Sequence, residues 1–232
     1  MDDLQRDSRR IEKQLSSTLG ALKSRLSTLD EPTSDSAGLL LSKRLDLIAQ
    51  SRSIASTSAG GQRIRIHGDY HLGQVLLTSH ARSNASSRGG QDAPEVEDFV
   101  LLDFEGEPAR PLEERRQKES PIRDVAGMIR SFSYAAYAGL DQFVSASRDS
   151  AHPVDYDRMA GWARLWQNSV ASEFLSSYRE TIGVENSLLP PPHQAQALLS
   201  AYLLEKALYE LLYELDNRPT WLRIPIAGIL SL

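Results

Sequence analysis

The chain has 232 residues, with 26 Lys+Arg against 31 Asp+Glu, a formal net charge of −5, and 41% hydrophobic and 25% charged residues. That is the balance of a globular protein able to bury a core without staples. Zero cysteines exclude disulfides, thiol nucleophiles and Cys-ligated metals. The acidic charge argues against nucleic acid as partner. The polar start (MDDLQRDSRR) and the lack of a long apolar run argue against a leader or membrane span, and together predict a soluble, cytoplasmic protein.

In chain order, Leu4, Ile11, Leu15, Leu19, Leu22 and Leu26 fall at spacings of 7, 4, 4, 3 and 4, one face of a helix. Glu31-Pro32-Thr33-Ser34 breaks it, a second helical segment follows over 38–54, and the Ser/Gly-rich 53–62 reads as a linker. Arg63 to Ile66 alternates polar and apolar as a short strand. QVLLT at 74–78 and FVLLD at 99–103 are two more strands, joined by a long polar connection over 79–98. After a charged stretch to Glu119, a helix begins with Ser120 as cap, Pro121 in its first position and Asp124 near the positive end of the dipole. Helices are expected over 121–140, 155–182 and 193–216, with turns at His152-Pro153 and 189–192 and a last short helix from Pro225. The order is helices, a three-strand unit, then helices. The expected fold class is mainly α with a small β-hairpin unit.

The chemistry gathers between 67 and 107. HGDYHLGQ at 67–74 lies between two strands, and Asp103 closes the hairpin. If 74–78 pairs antiparallel with 99–103, Gln74 and Asp103 lie opposite each other at the open end, about 15 Å from the loop end at roughly 3.4 Å per residue. Asp69 lies just before, so two carboxylates and an amide oxygen can converge. Such hard oxygen donors suit Mg²⁺ with phosphate oxygens, and an Asp beside that metal can take a hydroxyl proton during phosphoryl transfer. Zinc is the rival, since His67, Asp69 and His71 alternate, with His80, His152 and His193 as further imidazoles; Gly68 and Gly73 argue for a bent loop instead of a ligand ladder. In the plainest reading the histidines only satisfy carbonyls and Asp69 caps a turn.

The order H-G-D-x-H-x-x-Q, strand, hairpin, D-F-E resembles the aminoglycoside phosphotransferase-like branch of the protein-kinase fold. The strings IRIHGDYHLGQVL, DFEGEPARPLEERRQKESPIRDVAGMIRSFSYAAY and LLEKALYELLYELDNRPTWLRIPIAGIL are similar to bacterial maltokinase, a module also found fused to trehalose synthase. The likeness runs from about Arg63 to Leu232. It implies a carboxy-terminal lobe over 63–232, preceded by a helical linker or start of that lobe over 1–62, with 79–98 as a hairpin insertion.

The activity implied is ATP-dependent phosphorylation of maltose to maltose 1-phosphate, feeding α-glucan synthesis. By motif position Asp69 is the implied catalytic base, braced by His67. Gln74 and Asp103 are the implied Mg²⁺ ligands on the ATP side, and Asp124 is a structural anchor of the catalytic loop. His71 is implied to shape the sugar pocket. Glu105 and the helical stripe Tyr202, Lys206, Tyr209 and Tyr213 are candidates for the acceptor shelf, with Glu205, Glu210 and Arg218 nearby; the stripe is equally readable as core. Trp162 and Trp166 read as core. The charge run from Glu113 to Glu119, with Arg115, Arg116 and Lys118, falls at the activation-segment position and reads as a solvated loop.

A kinase of that fold also needs an amino-terminal lobe that grips ATP. Fourteen glycines form no GxGxxG or Walker loop, and none of Lys13, Lys23, Lys43, Lys118 and Lys206 lies in a suitable strand. Three arrangements are therefore expected: a lobe served by an amino-terminal lobe on a separate chain, a lobe cut off by a truncated or frameshifted gene, or a non-catalytic module docked on trehalose synthase through an exposed apolar surface. Phosphorylation of glucosamine or an aminoglycoside on the same lobe is the other enzymatic alternative.

Overall fold

The computed structural model describes residues 2–56, 60–81, 95–107, 110–147, 154–183 and 187–232. Helix α1 (Asp2–Arg25) is followed by α2 (Glu31–Ser42) and α3 (Arg44–Ser53). On α1 the predicted stripe is buried from Leu4 to Leu22. Asp7 and Thr18 lie on the same inward face and are fully buried. Asp30 caps α2 by accepting the Thr33 N–H at 2.9 Å, with Pro32 in the first turn. The single helix expected over 38–54 is instead two, divided at Lys43.

Among the described residues two strands form, β1 (Val75–Ala81) and β2 (Glu95–Leu101). The strand expected at 63–66 reduces to one bridge, in which Ile64 and Glu119 exchange backbone hydrogen bonds at 3.0 and 2.8 Å. Pairing runs Val75↔Leu101 to Ala81↔Glu95, one residue off the expected register. Gln74 thus faces Leu102, whose N–H it accepts at 2.9 Å. Most of the predicted connection over 79–98 and the turn at His152-Pro153 lie outside the described residues.

The one-turn helix α4 (Leu112–Arg115) precedes three long helices, α5 (Ile122–Ser147), α6 (Tyr156–Ile182) and α7 (Pro192–Asn217), and α8 (Arg223–Leu230) closes the chain. Ser120 is buried next to α5, but its hydroxyl makes no hydrogen bond there. One core joins α1, α2, α3, α5, α7 and α8, with Leu15, Leu22, Leu40, Leu204, Leu208 and Leu211 among its fully buried members. Each such side chain contributes about 1.5–3 kcal/mol by leaving water. The expected core pair on α6 is not core: Trp162 is 65% exposed and Trp166 47%. Their spacing of four puts them on one face of the helix, but on the face turned to water. No described helix is long and apolar enough to cross a membrane.

Candidate active site

The segment 67–74 crosses the head of α5 as a bent loop. Gly68 takes a left-handed φ of +84°, open to glycine at no steric cost. A Cβ on Gly127 of α5 would lie 2.7 Å from the Tyr70 carbonyl oxygen, so glycine there lets the helix touch the loop. Asp124 fixes the loop from below, its carboxylate accepting the N–H of His67 at 2.7 Å and of Gly68 at 2.9 Å. Burial raises the Asp124 carboxyl above its usual range, partly offset by those two bonds. Ser131 adds a third tie by accepting the Leu72 N–H at 3.2 Å.

His67 spends both ring nitrogens on backbone. Its Nε2–H donates to the Leu102 carbonyl at 2.7 Å and its Nδ1 accepts the Asp69 N–H at 3.3 Å, so the Nε2–H tautomer satisfies both. It joins the loop to the hairpin exit and is not placed to ligate a metal. His71 likewise accepts the Gly73 N–H on Nδ1 at 3.0 Å, leaving Nε2 3.8 Å from the Asp69 carboxylate. Among the described residues no group of three His, Cys, Asp or Glu converges as a metal site; of the further imidazoles in the zinc alternative, His152 and the His80 side chain lie outside the described ones.

Asp69 caps no turn. Its Oδ1 accepts from Lys206 Nζ at 3.2 Å, and its side chain keeps 21% of its surface exposed. Lys206 also donates to buried Glu107 at 2.8 Å. Burial works against the ammonium, but Glu107 and Asp69 outweigh it and raise the Lys206 pKa. At the hairpin base the Gln74 amide donates to Asp103 Oδ2 at 3.3 Å. Asp103 has a φ of +58°, a left-handed conformation unusual for a non-glycine residue. The chain leaves β2 there, so the carboxylate meets Gln74 despite the register shift. Gln74 keeps its amide oxygen and Asp103 its second oxygen. These hard donors fit a Mg²⁺ ion whose remaining ligands are phosphate and water oxygens.

The stripe on α7 grades from core to solvent. Tyr202 is 2% exposed and its hydroxyl donates to Asp7 at 2.8 Å, so it is not an open shelf. Tyr209 stays partly exposed, with Lys206 Nζ 4.9 Å from its ring centre, and Tyr213 is exposed under Arg218. Glu105 is exposed beside the site. Glu205 and Glu210 are buried against arginines, and Arg218 pairs with Glu214.

Sequence inspection missed a chain of ion pairs behind Asp69. From Lys206 and Glu107 it passes to Arg110 (2.8 Å), then to Glu205, which also holds Arg10 (2.9 Å) and Arg123 (3.1 Å). Arg10 and Arg63 meet Glu119, and both reach Asp7. Burial alone would raise Glu205, but Arg123, Arg10 and Arg110 outweigh it and hold the carboxyl at about 2. An acid on the buried stripe of α1, at Asp7, was the available signal.

No protein-family model matches the chain. Over 203 residues it is 29% identical to a glucosamine kinase of Mycolicibacterium smegmatis, covering 86% of this chain and 42% of that protein. A glucosamine kinase of Streptacidiphilus jiangxiensis is 26% identical over 181 residues, covering 75% and 32%. Among solved structures, a glucosamine kinase in complex with glucosamine, ADP and inorganic phosphate superposes with a TM-score of 0.70 at 19% identity, covering 100% of this chain and 47% of that one. A second crystal form of glucosamine kinase gives 0.68 at 20% identity. The chain thus spans less than half the length of the curated relatives it matches.

These findings correct the resemblance. The relatives are glucosamine kinases, so maltokinase, maltose as acceptor and the trehalose synthase and α-glucan associations are set aside. The fold is that of part of a glucosamine kinase, and this replaces the aminoglycoside phosphotransferase-like carboxy-terminal lobe. The reason lies in what the matching residues do. His67, Gly68 and Asp124 bind one another, and Glu205 and Arg123 form a core ion pair. Residues engaged with the scaffold do not carry the identity of the acceptor.

Proposed function

We propose that this chain serves the ATP-dependent phosphorylation of an amino sugar, with Asp69 as general base. The observation that carries the proposal is the state of the Asp69 carboxylate: one oxygen held by Lys206, the loop beneath it tied down by Asp124, and part of its surface open. The names of the relatives supply the acceptor class, and ADP bound in one of them supplies the nucleotide.

In this reading the acceptor hydroxyl approaches Asp69, gives up its proton to the carboxylate, and its oxygen bonds to the terminal phosphorus of ATP as ADP leaves. Gln74 and Asp103 would hold Mg²⁺, which when bound neutralises charge on the phosphates. Lys206 keeps Asp69 in one orientation, His67 braces the loop, and His71, Glu105 and Tyr209 border the acceptor.

The test is ADP release by the chain with ATP, Mg²⁺ and a panel of amino and neutral sugars, beside Asp69→Asn. Glucosamine turnover that Asp69→Asn abolishes supports the proposal. Turnover of neutral sugars alone would overturn the acceptor, and full activity in Asp69→Asn would overturn the base.

One observation favours a second reading, that of a binding module. The hairpin leaves Leu76, Leu77, Phe99, Val100 and Leu101 exposed on a two-stranded sheet with no covering layer among the described residues. Absence of turnover with every sugar, also when an amino-terminal ATP-binding lobe is supplied, would favour that reading.

A further inference from the structure

The inner face of α6 rests on α5, where Phe174 meets Phe132 edge to face with ring centres 5.7 Å apart. Its outer face carries Trp162, Leu165 and Trp166, which are 65%, 56% and 47% exposed. Single exposed apolar residues are ordinary, but two indoles and a leucine side by side mark a contact surface. Together they offer roughly 350 Å² of apolar surface, taking about 250 Å² for a whole indole and somewhat less for leucine. A standard interface takes about 800 Å² from each partner, with its apolar residues at the centre. The patch has the size of such a centre, so polar residues around it belong to the contact as well.

The stripe continues in both directions. Arg158, Trp162, Leu165, Ser169 and Glu173 follow one another at spacings of 4, 3, 4 and 4, one face of a helix, and all five are exposed. The Arg158 backbone N–H is bonded to the Asp155 cap at 3.1 Å, but its guanidinium and the Glu173 carboxylate have no partner among the described residues. This stripe is complementary to itself run backwards. In an antiparallel pair with a two-fold axis between Leu165 and Trp166, residues equally far from that point face each other. Leu165 then meets Trp166, the small Ser169 leaves room for Trp162, and Arg158 meets Glu173 at both ends. Moving the axis one turn toward the carboxy end sets Leu165 against Glu173, and one turn toward the amino end sets Arg158 against Trp166. Either shift puts a charge on the apolar centre.

We propose that this face of α6 binds the same face of a second copy of the chain, forming a two-fold dimer. Trp162, Leu165 and Trp166 make its centre by leaving water together. Two Arg158–Glu173 pairs close its ends and fix the antiparallel direction, since a parallel pair would set arginine beside arginine. No residue of the stripe lines the Asp69 cavity, and the dimer does not rest on the kinase reading.

Sedimentation velocity over a concentration series tests it on the parent chain and its variants. The parent should pass from monomer to dimer as concentration rises. Trp162→Ala should weaken the dimer about thirtyfold or more, the loss on truncating a tryptophan at an interface centre, with helix content by circular dichroism unchanged. Arg158→Glu and Glu173→Arg, each alone, set like charges opposite each other and should weaken it about tenfold or more. Mixed in equal amounts, these two variants should pair with each other as tightly as the parent, because every glutamate then meets an arginine. Mixing does not repair a misfolded chain, so this restoration reports the contact itself. Phe99→Ser, on the exposed hairpin, should leave the dimer unchanged. The proposal falls if the parent stays monomeric at roughly 100 µM, well above the micromolar limit of interfaces this size, which would assign the face to a different protein. It falls equally if Phe99→Ser and not Trp162→Ala dissolves the dimer, or if the mixed charge variants do not pair.

Discussion

Replacing Asp124 by asparagine tests how the loop carrying Asp69 is held. The carboxylate accepts two backbone N–H groups, from His67 at 2.7 Å and Gly68 at 2.9 Å. Asparagine keeps one acceptor and turns an NH₂ toward the other N–H, so one charged bond is lost and two donors face each other. A hydrogen bond to a charged group contributes about 1.5–3 kcal/mol. Relief of the cost of burying the charge offsets part of that loss, since burial raises the Asp124 carboxyl. A net destabilisation of about 2 kcal/mol is expected at neutral pH, and about twice that for Asp124→Ala, which removes both bonds. Urea denaturation gives the global figure. Hydrogen exchange at the His67 and Gly68 amides gives the local one, and protection should fall at those two amides beyond the general loss. If both amides stay protected and stability changes by less than about 0.5 kcal/mol, the loop is held through the His67–Leu102 bond instead, and the anchoring role of Asp124 is refuted.

Two more outcomes follow from the ion pairs. Lys206→Met should cost about 2 kcal/mol, below the usual value for breaking a buried pair because the lysine is 23% exposed and Glu107 retains Arg110. It should also lower sugar phosphorylation at least tenfold, with Lys206→Arg intermediate; equal activity in Lys206→Met would refute its hold on Asp69. Glu205 is held at about 2 against 4.5 for a free carboxyl, so between those values the unfolded chain binds more protons than the folded one. Stability should therefore decline as pH falls from about 4.5 toward 2, by up to about 3 kcal/mol for this group. Glu205→Gln should be less stable at neutral pH and should flatten that part of the profile, as urea titrations at stepped pH would show.

The helices were legible because burial imposes a 3.6-residue period: Leu4 to Leu22 marks α1 without reference to anything else. The hairpin was legible from two apolar runs, but not its register, because the strand exit depends on a left-handed Asp103, a conformation aspartate tolerates better than most residues but does not require. Arg63 to Ile66 alternates as a strand should, yet its partner offers only Glu119, a property of another segment. Trp162 and Trp166 show the limit of periodicity, which gives a face and not what packs on it. Among the candidate site residues, Asp69, Gln74, Asp103 and Asp124 stood out because a short motif places them. Lys206 stood out only as one of a stripe, since its partners Asp69 and Glu107 are 137 and 99 residues away. The sequence ranked maltose above an amino sugar, which it offered only as an alternative, because strings such as HGD and the Glu205 stretch include residues that bind one another.

The ion pairs bear on why α1 and α7 keep one alignment. Burying a carboxylate costs several kcal/mol, and its partners roughly return that, so Glu205 with three arginines is a weak source of net stability. Apolar side chains would fill the same space at no such cost. What apolar contacts do not do is distinguish one helical turn from the next, because a leucine-lined face such as that of α7 packs similarly after a one-turn slip. Glu205 does distinguish them. Moved by one turn, about 5.4 Å, it would leave the point where Arg10, Arg110 and Arg123 converge, and those arginines would keep only Asp7, Glu119 and Glu107. Lys206, the next residue, would be carried the same distance from Asp69. The buried charges thus set the register of α7, and the register of α7 sets where the ammonium meets the carboxylate.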